Sequence, residues 1–402
     1  SRATTAPGRG KRLISARPRE AIPMPVRVAV PREVTAGERR VAVVPEVVPR
    51  LLKLGVELWV EPNAGRSAGY RDEAYTAVGA RLEPDRAQLW GTPQIVLKVQ
   101  APTAEEIASL RPGTVVIALM NPSRNLDRVA KMRDAGITAF ALELLPRISR
   151  SQSMDVLSSQ ATVAGYRAAL LGADYSPKFL PMLTTAAGTI RPARVLVLGA
   201  GVAGLMAIAT ARRLGAIVEG YDVRRAAGEQ VRSLGAKFLE LQINAEGTGG
   251  YARELTDAEK LQEAEMVAKA VAEADIVITT AAIPGRKAPI LVRDEMVARM
   301  REGSVIVDLA AETGGNCTLT KPGEVVVAQG VTIAGPLNVP SLLPFHASLM
   351  FSKNVQAFLE LLVGKDGTLT TDYADEVLAA SLLTRAGTVV HAPTAALLGA
   401  AK

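Results

Sequence analysis

Cysteine, histidine and aromatic residues are scarce in this chain, and each scarcity removes a class of chemistry. A single cysteine, Cys317, among 402 residues rules out an intrachain disulfide and any multi-cysteine zinc site. Two histidines, His346 and His391, argue against a histidine-rich metal centre, so no metal is expected. Aromatics make up 4% of the chain, too few for a base-stacking platform, and no basic stripe is interleaved with them. Nucleic acid is therefore not an expected partner. No apolar run reaches the roughly 18 residues of a membrane span, so the chain is not expected to cross a bilayer on its own.

What is present is an ordinary globular composition, 48% apolar and 22% charged, with a net charge of +7. The location of that charge matters more than its sign. Residues 1–23 carry six cationic side chains, from Arg2 to Arg19, against Glu20 alone; only two of the seven surplus positive charges fall elsewhere. This stretch contains Pro7, Pro18 and Pro23 and has neither apolar periodicity nor the apolar segment of a secretory signal. It reads as a disordered basic tail or an extension ahead of a folded part that starts near Met24.

From Val26 onward the pattern alternates. Short β-branched runs at Arg27–Val30, Glu57–Glu61, Ile95–Val99, Thr114–Leu119 and Ile137–Leu142 are separated by helical spacing at 45–54, 104–110 and 126–134. A second series begins at Arg194–Leu198, with a helix over 202–214 stopped by Gly215. Strands follow at Ile217–Tyr221, 237–241, 276–280, 305–309 and 331–334. Strands alternating with helices predict two doubly wound, Rossmann-like parallel-sheet α/β domains separated by a cleft, the second carrying a dinucleotide fingerprint. A last long helix over 346–363 leads back out, giving a discontinuous first domain of 24–160 with 346–402 and a second domain of 161–345.

The fingerprint is Gly199, Ala200, Gly201, Val202, Ala203 and Gly204, a GxGxxG directly after the strand RVLVL and at the start of a helix. The first glycine permits a tight turn, the second lets the backbone approach a pyrophosphate, and the third allows close helix packing. The helix N-terminus adds positive potential. An acid, Asp222, ends the next strand, 18 residues past Gly204, where it would accept the adenosine ribose hydroxyls and repel a 2′-phosphate. Arg224 and Arg225 would instead welcome that phosphate, and a plain helix-capping role for Asp222 is the alternative. The acid's place at the strand end favours NAD.

Between the two series lies PRISRSQSMDVLSSQ, residues 146–160. Arg147 and Arg150 offer forked donors, Gln152 an amide matched to a carboxamide, and Asp155 an acceptor, with Ser158 on the same face if Asp155 opens a helix. On residues alone, an interdomain linker with a cap at Ser153 is the plainer reading. The polar stretch 241–263, with Tyr251 as its one aromatic, reads equally as a lid or as a surface excursion. Glu312 and Asn316 are polar candidates after the strand at 305–309, and Cys317, with no base near it, reads as a packed residue.

Taken together, PREVTAGERRVAVVPE, VLKVQAP, PRISRSQSMDVLSSQ, GAGVAGLMAIATARRLGA with YDVR, GTGGYA, TTAAIPG and VDLAAETGGNC resemble the family of NAD(P) transhydrogenase domain I and alanine dehydrogenase, over nearly everything from Met24 onward. The resemblance turns 146–160 from linker into active site. It implies that Arg147, Gln152, Asp155 and Ser158, with Ile148, Ser153 and Met154, hold the nicotinamide, its ribose and the pyrophosphate. Gly199, Ala200, Gly201, Val202 and Gly204 would hold the pyrophosphate and Asp222 the adenosine ribose. Tyr251 would sit on a mobile closing loop, and Val223, Arg224, Gly250 and Ala282 would line the adenosine side.

The alanine dehydrogenase branch is similar at Arg40 and Lys98, which there bind the carboxylate and carbonyl of pyruvate. Its histidine has no counterpart in IALMNPSRN, where Leu119, Met120 and Asn121 stand instead. Interconverting amine and ketone needs a positioned acid or base, whereas hydride transfer between two nicotinamides does not. The resemblance thus implies NAD(H) here and NADP(H) on a partner subunit, since one fingerprint is present. It also implies a membrane-spanning proton-channel partner, a homodimer, and peripheral attachment to the cytoplasmic face of the inner membrane. The alternatives are an amino-acid dehydrogenase or a non-enzymatic NAD-binding regulatory protein.

Overall fold

The computed structural model describes residues 25–240, 256–283, 286–364 and 367–400. Its first sheet is built from β1 (Val26–Val30), β2 (Val56–Val60), β3 (Arg81–Leu82), β4 (Ile95–Gln100), β5 (Val115–Leu119) and β6 (Thr138–Ala141). A small hairpin, β7 (Leu183–Thr185) and β8 (Gly188–Ile190), precedes the second sheet. That sheet holds β9 (Arg194–Leu198), β10 (Ile217–Tyr221), β11 (Lys237–Phe238), β12 (Ile276–Thr279), β13 (Val305–Asp308), β14 (Val325–Ala328) and β15 (Val331–Ala334). The chain then returns, and β16 (Leu382–Arg385) and β17 (Thr388–Val389) join the first sheet.

The spatial orders are β17-β16-β6-β5-β4-β1-β2-β3 and β11-β10-β9-β12-β13-β15-β14. Pairing is parallel except at β16–β6, β16–β17 and β14–β15. Central strands such as β9, β12 and β13 are buried almost throughout, as continuous apolar runs covered on both faces require. In each sheet the strand order reverses once, between β1 and β4 and between β9 and β12. Ligand crevices in such sheets lie beyond the carboxyl ends of the strands at that reversal.

Two long helices tie the halves together. The connecting helix, Val156–Tyr175, lies between the two sheets in sequence and runs through residue 160, the expected domain boundary. The return helix, Pro344–Leu362, buries Phe351, Val355, Phe358 and Leu359 in the first core. Among the described residues no helix is long and apolar enough to cross a membrane.

Candidate functional site

The three fingerprint glycines answer to different demands. Gly199 has φ +99°, and a Cβ there would stand 2.6 Å from Thr280 Oγ1. A Cβ on Gly204 would stand 1.8 Å from the Gly199 carbonyl oxygen, so the turn and the fingerprint helix (Val202–Arg213) close only with glycine at both positions. Gly201 is different: its φ is −76°, open to any residue, and a Cβ would meet nothing within 4 Å. Nothing in the described chain requires glycine there. A phosphate group approaching the first, unpaired N–H groups of the helix would require it, and this is the sense in which the residues present fit a dinucleotide.

The acid at the end of β10 caps the same turn. Asp222 accepts the Ala200 N–H at 2.8 Å, the Arg224 N–H at 2.8 Å and the Arg224 side chain at 2.9 and 3.0 Å. From the other flank, Thr280 Oγ1 donates to the Gly199 carbonyl at 2.9 Å. That contact brings the turn bearing exposed Ala282 against the fingerprint. Asn316 pins this turn: it accepts from the Ala281 N–H at 3.1 Å and donates to the Ala281 and Pro289 carbonyls at 2.8 Å. Asn316 is fully buried, so its role is to hold the turn. Cys317 beside it is buried, and burial pushes its thiol up to about 11, as suits a packed residue and not a nucleophile.

The 146–160 stretch is a tight turn followed by a helix. Ser149–Met154 forms 3-10 turns, and Asp155 caps the connecting helix by accepting the Ser158 N–H at 2.9 Å and its hydroxyl at 2.5 Å. Asp155 and Ser158 thus act as a pair, as their spacing implied. The expected cap at Ser153 gives way to Asp155, because the helix begins two residues later. Arg147, Gln152 and Ser153 are exposed, Ile148 is half-buried against the first core, and the Met154 side chain is inside that core. Any contact of Met154 with a ligand would therefore come from its backbone.

The turn is held from outside by residues that the motifs did not flag. Asn354, on the return helix, donates to the Ser153 carbonyl at 2.8 Å. Arg150 pairs with Asp375, itself the N-cap of a short helix, Glu376–Ser381. The acid ahead of EVLAAS was a legible capping signal; Asn354 carried none. The turn and the fingerprint are fixed relative to each other by their helices. A Cβ on Gly165 would stand 2.0 Å from the Ala203 carbonyl, so the connecting and fingerprint helices cross in direct backbone contact. Gly250 and Tyr251 lie outside the described residues.

At the reversal of the first sheet stand the two cations matched above to alanine dehydrogenase, and both are already engaged. Arg40 grips Glu38 with Nε to Oε1 at 2.8 Å and Nη2 to Oε2 at 2.7 Å, while Nη1 donates to Gln160 at 2.8 Å and Nη2 also to Asn338 at 3.1 Å. Lys98 lies 3.2 Å from both Glu33 and Glu106. All five charged side chains are buried, at 3% exposure or less. Burial pushes the Glu38 carboxyl up, but the hydrogen bonds and charge of Arg40, aided by Gln100, outweigh it and hold Glu38 at about 2. Met120 is fully buried, and the Met120 and Asn121 N–H groups donate to Glu143.

Comparison with known proteins places this geometry. The N-terminal domain model of alanine dehydrogenase/PNT matches residues 29–164 and the C-terminal domain model matches 168–392. The chain belongs to the alanine dehydrogenase/PNT family. It is 48% identical over 376 residues to an NAD(P) transhydrogenase subunit alpha polypeptide of Rhodospirillum rubrum, covering 91% of this chain and 98% of that one. Alanine dehydrogenase of Bacillus subtilis is 30% identical, covering 92% and 94%. A solved transhydrogenase structure from Sinorhizobium meliloti superposes with a TM-score of 0.80 at 45% identity, covering 91% of this chain and 99% of that one.

Proposed function

We propose that this chain is the NAD(H)-binding catalytic subunit of a proton-translocating NAD(P) transhydrogenase, passing hydride directly between NAD(H) here and NADP(H) on a partner subunit. The relatives' names imply an oxidoreductase of nicotinamide nucleotides within a multi-subunit assembly. The observation that carries the reading past the amino-acid dehydrogenase is the occupied seat on Arg40. A 2-oxo acid would need that guanidinium and Lys98, and both are locked in pairs with internal carboxylates whose side chains are all 3% exposed or less. No residue at 119–121 supplies an acid or base for amine chemistry.

When bound, the dihydronicotinamide supplies the hydride, and no proton need accompany it. The chain's residues bind and orient. Gly201 and the helix N-terminus, with Gly199, Ala200, Val202 and Gly204, would receive the pyrophosphate, while Asp222, Val223 and Ala282 would receive the adenosine half, with Arg224 beside them. Gln152 would match the carboxamide, and Arg147, Asp155 and Ser158 would hold the nicotinamide ribose and phosphate, orienting the ring for hydride transfer. Ile148, Ser153 and Met154 would contribute backbone, and the family resemblance adds Tyr251 and Gly250 to the nucleotide's contacts. The reading includes a homodimer held at the cytoplasmic membrane face by an NADP(H)-binding partner and a proton-conducting partner.

Mixing the chain with an NADP(H)-binding transhydrogenase subunit should give NADPH-dependent reduction of an NAD analogue. Oxidation of NADH by pyruvate and ammonia with the chain alone would overturn the reading in favour of the dehydrogenase. Tight NADH binding with no hydride exchange in the mixture would favour a regulatory protein.

A further inference from the structure

The carboxylate of Asp222 is full before any nucleotide arrives. Oδ1 accepts from the Arg224 N–H and from Arg224 Nε; Oδ2 accepts from the Ala200 N–H and from Arg224 Nη2. A carboxylate offers about four lone-pair positions, so none is left for a ribose. Two of the four donors are backbone N–H groups fixed by the strand end and the fingerprint turn. The other two belong to one guanidinium, on a side chain that is 32% exposed and rotamer-rich, against 7% for Asp222. A ribose diol brings two hydroxyl donors.

We propose that Arg224 is a placeholder for the adenosine ribose and thereby a determinant of nucleotide affinity and specificity. Its fork fills the two acceptor positions that the 2′ and 3′ hydroxyls take, and leaves them when NAD(H) binds. The inference rests on the reading of Asp222 as the ribose acceptor. A nearly buried carboxylate is costly to leave unpaired, and the fork keeps it paired and correctly turned while the site is empty. Every binding event then breaks a two-point ion pair, which weakens affinity and speeds release. A 2′-phosphate would meet a guanidinium that can pair with it, which softens the repulsion from Asp222.

The test is titration of the full chain with NADH, with NADPH and with the NADH analogue whose adenosine ribose lacks both hydroxyls, for the wild type, Arg224→Gln and Arg224→Lys. Arg224→Gln should bind NADH roughly fivefold more tightly, the size of one partly exposed ion pair. The analogue should gain little, because it does not compete for Asp222, and the preference for NADH over NADPH should widen. Arg224→Lys, limited to single-point donation, should fall between. Weaker or unchanged NADH binding in a variant that melts like the wild type would overturn the placeholder role, as would an equal gain for the analogue. Absence of NADH binding by the wild type would instead overturn the functional reading itself.

Discussion

The chain contains the same crevice twice and treats the two in opposite ways. Each sheet reverses its strand order once, at β1/β4 and at β9/β12, and so offers a place for a ligand beyond its strand ends. At the first, Glu33 from the segment after β1 pairs with Lys98 of β4 beside Glu106, while Glu38 and Arg40 from the same segment pair with each other and with Gln160 and Asn338. At the second, the strand ends carry glycine and backbone donors, and a Cβ on Gly201 would meet no atom of the described residues within 4 Å. Topology thus supplies two candidate crevices, and side chains decide which stays available. The paired charges also stitch the halves together, since Gln160 belongs to the connecting helix and Asn338 to the second half.

The largest effect should come from unsealing the first crevice. Glu38→Ala leaves the Arg40 guanidinium buried without its two-point partner, and breaking such a pair costs about 3–5 kcal/mol. Urea unfolding should show that loss, and a change within about 0.5 kcal/mol would mean the pair does not seal anything. Acid should do reversibly what the substitution does permanently. Glu38 is held at about 2 against an ordinary 4.5, so its contribution is complete above 4.5 and fades as pH falls toward 2. The shift corresponds to about 3 kcal/mol. Burial moves the neighbouring Glu33 upward, which has the opposite sign: its contribution is present at low pH and is lost as pH rises. In Glu38→Gln, the acid limb of the stability profile should therefore flatten.

The two crevices were unequally legible in the sequence. The second could be read because its parts are local: strand, glycines and helix are consecutive, and the bounds of Arg194–Leu198, Ile217–Tyr221 and Val331–Ala334 are as expected. The first could not, because Arg40 finds Gln160 and Asn338 at separations of 120 and 298 residues. The start of the connecting helix was legible in the capping residues at 153–155, but its length was not. Gly165 and Gly172 lie inside it, where a Cβ on the first would stand 2.0 Å from the Ala203 carbonyl and one on the second 2.8 Å from Ile276 Cγ2, so both serve close approach. Strand β16, which pairs back to β6, and β17, which pairs with β16, carried no local signal strong enough to separate them from a tail.

Next in size are the substitutions in the turn that would face the nicotinamide. Asparagine caps a helix as well as aspartate, so Asp155→Asn should keep the connecting helix and the melting temperature. Gln152 is exposed, and Gln152→Ala should likewise be neutral for stability. Both should slow single-turnover hydride transfer in the reconstituted complex roughly tenfold or more, with a smaller change in NADH affinity, because positioning acts on the rate. Unchanged rates would remove these residues from the proposed machinery and leave the second crevice as a binding site alone.

The finest contrast lies within the fingerprint itself, between two alanine substitutions three residues apart. Gly204→Ala forces a Cβ to 1.8 Å from the Gly199 oxygen and should destabilise the fold. Gly201→Ala meets nothing among the described residues and needs no unusual φ, so the protein should be as stable or up to about 1 kcal/mol more stable, through the stiffer unfolded chain. If a phosphate is what requires glycine at 201, the same substitution should weaken NADH binding about tenfold, by intruding on the close backbone approach that glycine allows. A Gly201→Ala chain that binds NADH as well as the wild type would show that the space beside this residue is not the nucleotide's. The second crevice would then be no more a ligand site than the first.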